Sequence, residues 1–243
     1  MTGAESVSDS TARRLAEEGA LETVAEIARQ LAAAETLDET LQRIVDLGVE
    51  YIDPCEGASI SFIQGRALST PVWSNRTVFE ADQAQYRHNQ GPCLQAIVVH
   101  ETIVIDDLAE EQRWPKWREE VLGLELRSSS SFRLFLVSDG EETFGSLNMY
   151  SARAHAFDGH AQALGQVFAS HAAVALKAAI TETGLEQAIR SRDLIGLAKG
   201  ILMERNHVGA DEAFRMLRRT ATDRNISIRK LAELVTESGA LPD

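Results

Sequence analysis

Between Lys199 and Lys230 the chain carries eight basic side chains (Lys199, Arg205, Arg215, Arg218, Arg219, Arg224, Arg229, Lys230) against four acidic ones (Glu204, Asp211, Glu212, Asp223). Cations at that density neutralise phosphates, so this stretch has the chemistry of a nucleic-acid contact. Upstream, Cys93 follows Gly91-Pro92 at a predicted helix start, where the helix dipole favours a thiolate and hence redox sensing. A small buried core residue is the favoured assignment, with redox sensing as its alternative. His155, Asp158 and His160 are close in sequence but lack the convergent ligand set of a zinc site, and read as loop and cap residues. Ser128 to Ser131 offer hydroxyls, yet no Gly-x-Ser-x-Gly turn and no neighbouring base equips them as nucleophiles. In a strand Ser128 and Ser130 face one side and Ser129 and Ser131 the other, so a pocket lining or an exposed edge accounts for them. No catalytic set and no metal set emerges.

The rest of the chain has the opposite electrostatic character. Its 243 residues hold 24 Lys plus Arg and 37 Asp plus Glu, a net charge of −13. Residues 1–183 carry 14 basic and 28 acidic side chains, whereas residues 184–243 carry 10 and 9, so an acidic module is followed by a small basic one. Apolar content of 44% is enough for a sizeable core and excludes a disordered or collagen-like chain. The longest uncharged run, Gly159 to Leu176, contains His160, Gln162, Gln166, Ser170 and His171 and is not expected to span a membrane. The first nineteen residues lack the apolar stretch of a secretory signal and are expected to be disordered. Two cysteines, Cys55 and Cys93, without metal-type spacing read as reduced thiols, and the expected location is cytoplasmic.

Several elements must position these groups. Apolar spacing at Leu21, Val24, Ile27, Ala28 and Leu31, and again at Leu37, Leu41, Ile44, Val45 and Val49, predicts two opening helices, with Thr36 and Glu39 forming a capping box. Gly57 to Ile63, Ala67 to Val72 and Glu101 to Ile105 read as strands, and Phe79 to Tyr86 and Cys93 to Val98 as short helices. Pro115 starts another helix, on which Trp114 and Trp117 share a face toward the sheet. Leu126 to Val137 and Glu142 to Ser151 flank Asp139-Gly140 as a hairpin. About five strands with helices around them make an α+β domain. From Asp158, an N-cap, helix signals run to about Asn206, with a possible break at Gly184. Val167, His171, Val174, Ala178, Thr181, Leu185 and Ala188 are spaced alternately four and three apart, a coiled-coil seam that predicts a parallel homodimer. Leu164, Phe168 and Ala175 would pack the same helix on its own sheet. In Asp211 to Asp223, Ala213, Phe214, Leu217 and Ala221 share an apolar face, while Arg215, Arg218 and Thr222 gather on another. Ser227 caps a last helix whose stripe is Ile228, Leu231, Leu234 and Val235, leaving Arg229 and Lys230 outward.

The segment Ile195-Gly196-Leu197-Ala198-Lys199-Gly200-Ile201-Leu202-Met203-Glu204-Arg205, with Asp211-Glu212-Ala213-Phe214-Arg215-Met216-Leu217-Arg218 after it, closely resembles the ANTAR domain, an RNA-binding antitermination module. The resemblance runs from about Ile189 to Leu241, and Asn225 and Leu231-Ala232 also fit. Gly209 stands where many ANTAR domains have a capping Ser or Thr. Upstream, Gly91-Pro92-Cys93-Leu94, Asp106-Asp107-Leu108, Arg113-Trp114-Pro115, the strand Gly145-Ser146-Leu147-Asn148-Met149-Tyr150 and Phe157-Asp158 resemble the GAF domain of actinobacterial GAF-ANTAR regulators. The resemblance implies a GAF sensor over 20–180 with an antiparallel sheet of five or six strands, and a three-helix ANTAR domain over 181–243. A long helix of about 158–206 is shared between the two.

The resemblance further implies binding to paired hairpin loops in nascent transcripts, which keeps a terminator from forming. Loops are where RNA sequence is readable, since the major groove of an RNA helix is closed to side chains. Phe214, the one aromatic residue of the module, is assigned to the core by its helical face, so recognition falls to Lys199, Arg205, Arg215, Arg218, Arg229 and Lys230, with Thr222 and Asn225 as polar readers. Gly196 and Gly200 are expected to allow close helix packing. A GAF domain of this kind implies a small-molecule pocket near Cys93, Trp114, Arg127, Ser129, Ser131 and Met149, but no residue names the ligand and no cofactor is implied. Leu94 stands where bilin-binding relatives have a His, and a cyclic-nucleotide signature cannot be assembled. Three alternatives stay open: a helix-turn-helix-like DNA reader in the last two helices, a GAF-type redox enzyme or sensor acting through Cys93, and a GAF domain that only dimerises.

Overall fold

A computed structural model describes residues 19, 21–64, 67–99, 101–138 and 140–242. The expectation of a disordered N-terminus falls on residues 1–18, which lie outside the described residues, as does Asp139 of the hairpin turn. The chain divides into two units, Met1–Ala179 and Ile180–Asp243.

The N-terminal unit opens with α1 (21–32) and α2 (Leu37–Tyr51). Thr36 accepts a hydrogen bond from the Glu39 amide at 3.2 Å, and the Glu39 carboxylate reaches back to the Glu35 amide at 3.0 Å. The capping box is therefore present, with its return bond one residue upstream of the usual cap amide. The strands β1 (Gly57–Gln64), β2 (Ala67–Trp73), β3 (Ile103–Ile105), β4 (Ser128–Ser138) and β5 (Gly140–Ser151) form one antiparallel sheet in the order β2-β1-β5-β4-β3. Between them lie α3 (Arg76–His88), α4 (Pro92–Val99) and α5 (Pro115–Leu122), the last with Pro in its first turn.

Both faces of the sheet are covered. Ala58, Met149 and Phe132 point to the side of α2 and the long helix α6 (Gly159–Asn206), where a Cβ on Gly48 would meet Met149 at 3.4 Å and Phe168 at 3.5 Å. Register carries Ser59, Ser61, Ser146, Asn148 and Tyr150 to the opposite side, under α3 and α4. Trp114 and Trp117 are buried on this second side in edge-to-face contact at 6.0 Å, and the Trp117 indole donates to the Ala81 carbonyl at 3.1 Å.

Helix α6 (Gly159–Asn206) starts at Asp158, whose carboxylate accepts from the Ala161 amide at 2.9 Å. It runs unbroken through Gly184, so the expected break is absent. One glycine costs about 1 kcal/mol in a helix, which the surrounding helix formers outweigh. An 18-residue window of α6 is apolar enough by composition to cross a membrane, but Ala161, Phe168, Ala169, Ala172, Ala173 and Leu176 are buried in the N-terminal unit. Phe168 thus packs on the sheet, with Leu164 and Ala175 half-buried beside it. The seam residues Val167, Val174 and Leu185 stay 41%, 57% and 62% exposed, so packing within the chain uses a different stripe of the helix.

In the C-terminal unit α7 (Ala210–Asp223) and α8 (Ile228–Ser238) close on the end of α6 around Ala198, Leu202, Ala213, Leu217, Ala221, Leu231, Ala232 and Val235. Ser227 caps α8 by accepting from the Lys230 amide at 3.1 Å, whereas Gly209 supplies α7 with no side-chain cap.

Candidate functional site

The basic side chains of the C-terminal unit reach solvent, but they are not equivalent. On α7 the core side is set by Ala213, Leu217 and Ala221, and Arg215, Arg218, Arg219 and Thr222 lie on the opposite, exposed side. Arg215 is paired with Glu212, and that carboxylate holds the guanidinium above its ordinary pKa. Arg219 faces Asp223 at 3.9 Å, and Arg229 and Lys230 share Glu233 at 3.4 and 3.2 Å. Arg205 donates to the Gly239 carbonyl at 2.8 Å, which ties it to the far end of α8 from Arg229 and Lys230. Among the described residues Arg192, Lys199, Arg205, Arg218 and Arg224 have no acidic partner. Thr222 donates its hydroxyl to the Arg218 carbonyl at 2.9 Å. Asn225 has φ 52°, the left-handed conformation that asparagine tolerates, so the loop between α7 and α8 accounts for this residue.

Two readings of this unit are corrected. Phe214 is 40% exposed and not a core residue, and the Lys199 ammonium lies 5.8 Å from its ring centroid. Phe214 sits at the margin of the apolar arc, about 60° from its centre at 100° per residue, and periodicity does not say which margin a neighbouring helix covers. Gly196 and Gly200 do not mediate close packing, since a Cβ at either position would meet nothing within 4 Å.

In the N-terminal unit the six expected pocket residues divide. Cys93, Trp114, Ser129 and Ser131 lie on the α3–α4 side of the sheet. Met149 is on the other side, against α2, because it pairs with Ser130 and alternates with Asn148 and Tyr150. Arg127 forms a two-pronged ion pair with Asp107 at 3.1 and 2.6 Å, and this holds the Asp107 carboxyl below its usual range. Its charge is spent there rather than in the core.

The centre of that side is Asp82 on α3, fully buried. It accepts from Ser59 at 2.7 Å, Tyr150 at 2.9 Å, Thr70 at 3.1 Å, Asn148 at 3.2 Å and Gln85 at 3.3 Å. Burial pushes its pKa up, and the donors partly offset that. Tyr86 extends the network by donating to Ser61 at 2.7 Å. Gln85 also accepts from the Cys93 amide at 2.9 Å, and Gly91 makes this possible. With φ 142°, a Cβ at Gly91 would stand 2.2 Å from the Gln85 oxygen. The hydroxyls of Ser129 and Ser131 on the same side are buried with no hydrogen-bond partner among the described residues. Asp82, Asn148 and Tyr150 were not singled out by sequence reasoning. Their signal is a second, polar alternation along β5 (Ser146, Asn148, Tyr150) interleaved with the apolar Leu147 and Met149.

Cys93 is fully buried, and desolvation together with the nearby Asp82 raises its thiol pKa well above the ordinary value. The burial agrees with Cys93 as a small core residue, and the alternative of a dipole-stabilised thiolate is disfavoured because the helix terminus is sealed from water. Burial likewise raises Cys55 to about 12.

The family model described as GAF domain matches residues 34–177, and that described as ANTAR domain matches residues 183–235. No curated protein matches the chain. Among solved structures the chain is similar to the GAF domain from Acinetobacter phosphoenolpyruvate-protein phosphotransferase at 13% identity and TM-score 0.52, over 66% of this chain and 94% of that one. It is also similar to free methionine-R-sulfoxide reductase from Neisseria meningitidis, solved with its substrate, at 16% identity and TM-score 0.52, over 67% and 91%. A GAF sensor protein from Burkholderia vietnamiensis matches at 16% identity and TM-score 0.50, over 67% and 94%. At these identities the likeness is one of fold.

Proposed function

This chain belongs to the GAF-ANTAR regulators, and from that premise we propose that it is an RNA-binding transcription antitermination factor. Its ANTAR part, 181–243, grips paired hairpin loops in nascent RNA and prevents a terminator from forming. Its GAF part, 20–180, receives the controlling signal. One observation carries this reading: the face of α7 opposite its core presents Arg215, Arg218 and Arg219, and among the described residues of the unit Arg192, Lys199, Arg205, Arg218 and Arg224 have no acidic partner. Unpaired cations are the ones free to displace counterions from a phosphate backbone.

The exposed seam at Val167, Val174 and Leu185 supports a parallel homodimer, which would offer two such faces to two loops. The orphaned Ser129 and Ser131 hydroxyls beside the Asp82 network support a small polar ligand in the GAF core. Such a ligand acts by population shift, changing the pairing of α6 and hence the spacing of the RNA-binding faces. Redox catalysis is disfavoured by two buried thiols whose pKa values are both raised. The protein works in the cytoplasm, where transcripts form.

Sequencing the RNA that co-purifies with the protein from its own cell tests function and target together, with tandem stem-loops upstream of terminators as the expected yield. Binding to such an RNA and to duplex DNA is then compared across a salt series. Preference for the duplex at equal salt would replace this reading with DNA recognition.

A further inference from the structure

Beside Phe214 lies an open groove of about 870 Å³ between the last part of α6 and α7. Phe214, Leu197, Gly196, Asp193, Arg192 and Lys199 line it. Leu197 is 60% exposed, and the missing side chain of Gly196 keeps the groove open. Neither Lys199 nor Arg192 has an ion-pair partner among the described residues, and the Lys199 ammonium stands 5.8 Å from the Phe214 centroid, within cation–π range. Arg218, four residues after Phe214, stands on the next turn of the same side of α7.

We propose that Phe214 is a stacking platform for one unpaired base of an RNA loop, with Lys199 and Arg218 holding the flanking phosphates. The inference rests on the RNA-binding reading above and adds to it an aromatic element that a reading from cations and polar side chains alone lacks. An aromatic face accepts any base, and a neighbouring cation adds to the attraction. Asp193 sits at the groove wall, where a carboxylate accepts from a base amino group. A second copy of the chain fits this groove poorly. Continued in four–three steps, the α6 seam passes from Ala188 to Arg192, Ile195 and Lys199. In a parallel pair each of those cations would face its own copy, a like-charge contact that a polyanion relieves.

The test uses the full-length protein and a tandem stem-loop RNA selected by it from a pool with randomised loops, with 2-aminopurine placed in turn at each loop position. The expected result is quenching at one position in the wild type. Phe214→Leu should lose that quenching and weaken binding by about fivefold or more, the lower end of the range for loss of one stacked base, with an unchanged salt slope. Phe214→Trp should retain both. Gly196→Leu fills the groove while favouring helix formation, so it should weaken binding without loss of fold. Lys199→Ala should weaken binding and flatten the salt slope by about one ion. If Phe214→Leu and Gly196→Leu bind within twofold of the wild type, the stacking site is wrong while RNA recognition stands. If the selection yields no RNA, the functional reading itself fails. If the variants instead change the dimer dissociation constant and not RNA affinity, the groove belongs to a second copy.

Discussion

The Tyr150 hydroxyl donates to the Asp82 carboxylate across 2.9 Å, joining β5 to α3 over a sequence separation of 68 residues. Ser59, Thr70, Asn148 and Gln85 converge on the same group, so Asp82 gathers three strands and a helix into one polar core. Removing the acceptor leaves the buried Ser59 and Tyr150 hydroxyls without the group they donate to, at about 1–3 kcal/mol each, and takes one bond from Thr70, Asn148 and Gln85, which keep Tyr86, Ser61 and Tyr150 as partners. Asp82→Ala is expected to destabilise the GAF unit by several kcal/mol in urea denaturation. A loss under about 1 kcal/mol would show that the network carries no such weight.

The same burial gives a pH signature. Asp82 has its folded pKa raised above the ordinary 3.8, so between the two values the folded chain keeps a proton that the unfolded chain has released. Its contribution to stability therefore falls as pH climbs through that window and is constant above it. Glu56, Glu111 and Glu120 have lowered pKa values and work in the opposite sense, losing stability as pH falls through their folded pKa values. The stability difference between wild type and Asp82→Asn isolates the first effect. That difference should shift against the wild type as pH rises from about 4, and a shift toward the wild type would contradict the assignment.

Both thiols should be silent in the native protein. Cys55 and Cys93 are buried with raised pKa values, so a disulfide reagent at pH 8 should label neither until denaturant is added. Rapid native labelling of Cys93 would restore the redox alternative.

The α6 seam predicts assembly. Leu185 is 62% exposed, and Leu185→Glu should raise the dimer dissociation constant at least about tenfold with unchanged helix content, as read by sedimentation. A wild type that sediments as a monomer would remove the dimer from the proposal.

Helix caps in the ANTAR unit offer a calibrated check. Ser227→Ala removes the bond to the Lys230 amide and should cost about 1 kcal/mol, whereas Gly209→Ser should add a few tenths. Thermal denaturation of the full chain, followed at the C-terminal transition, reports both.

Most elements were legible before any coordinates. Pro115, Asp158, Ser227 and the run around Gly140 act through local backbone chemistry, so their helices and hairpin appear where those residues place them. The Asp82 core was not legible, because its members come from four elements and a buried polar strand face has the same alternation as a solvent-facing one. Met149 was assigned to the wrong side for a related reason: in a sheet covered on both faces, register alone decides which helix a strand residue meets.

By itself the sequence determined the α+β class, the two modules, the basic character of the second and the position of the long helix. Periodicity, caps and charge are short-range properties of the chain. Tertiary structure alone decided that Phe214 stands in solvent beside Lys199, that Arg205 is tied to the Gly239 carbonyl while Arg218 has no acidic partner among the described residues, and that Cys93 is sealed from water. Exposure, pairing and pKa depend on which distant groups arrive within a few ångströms, and that proximity is created only when the helices and sheet pack together.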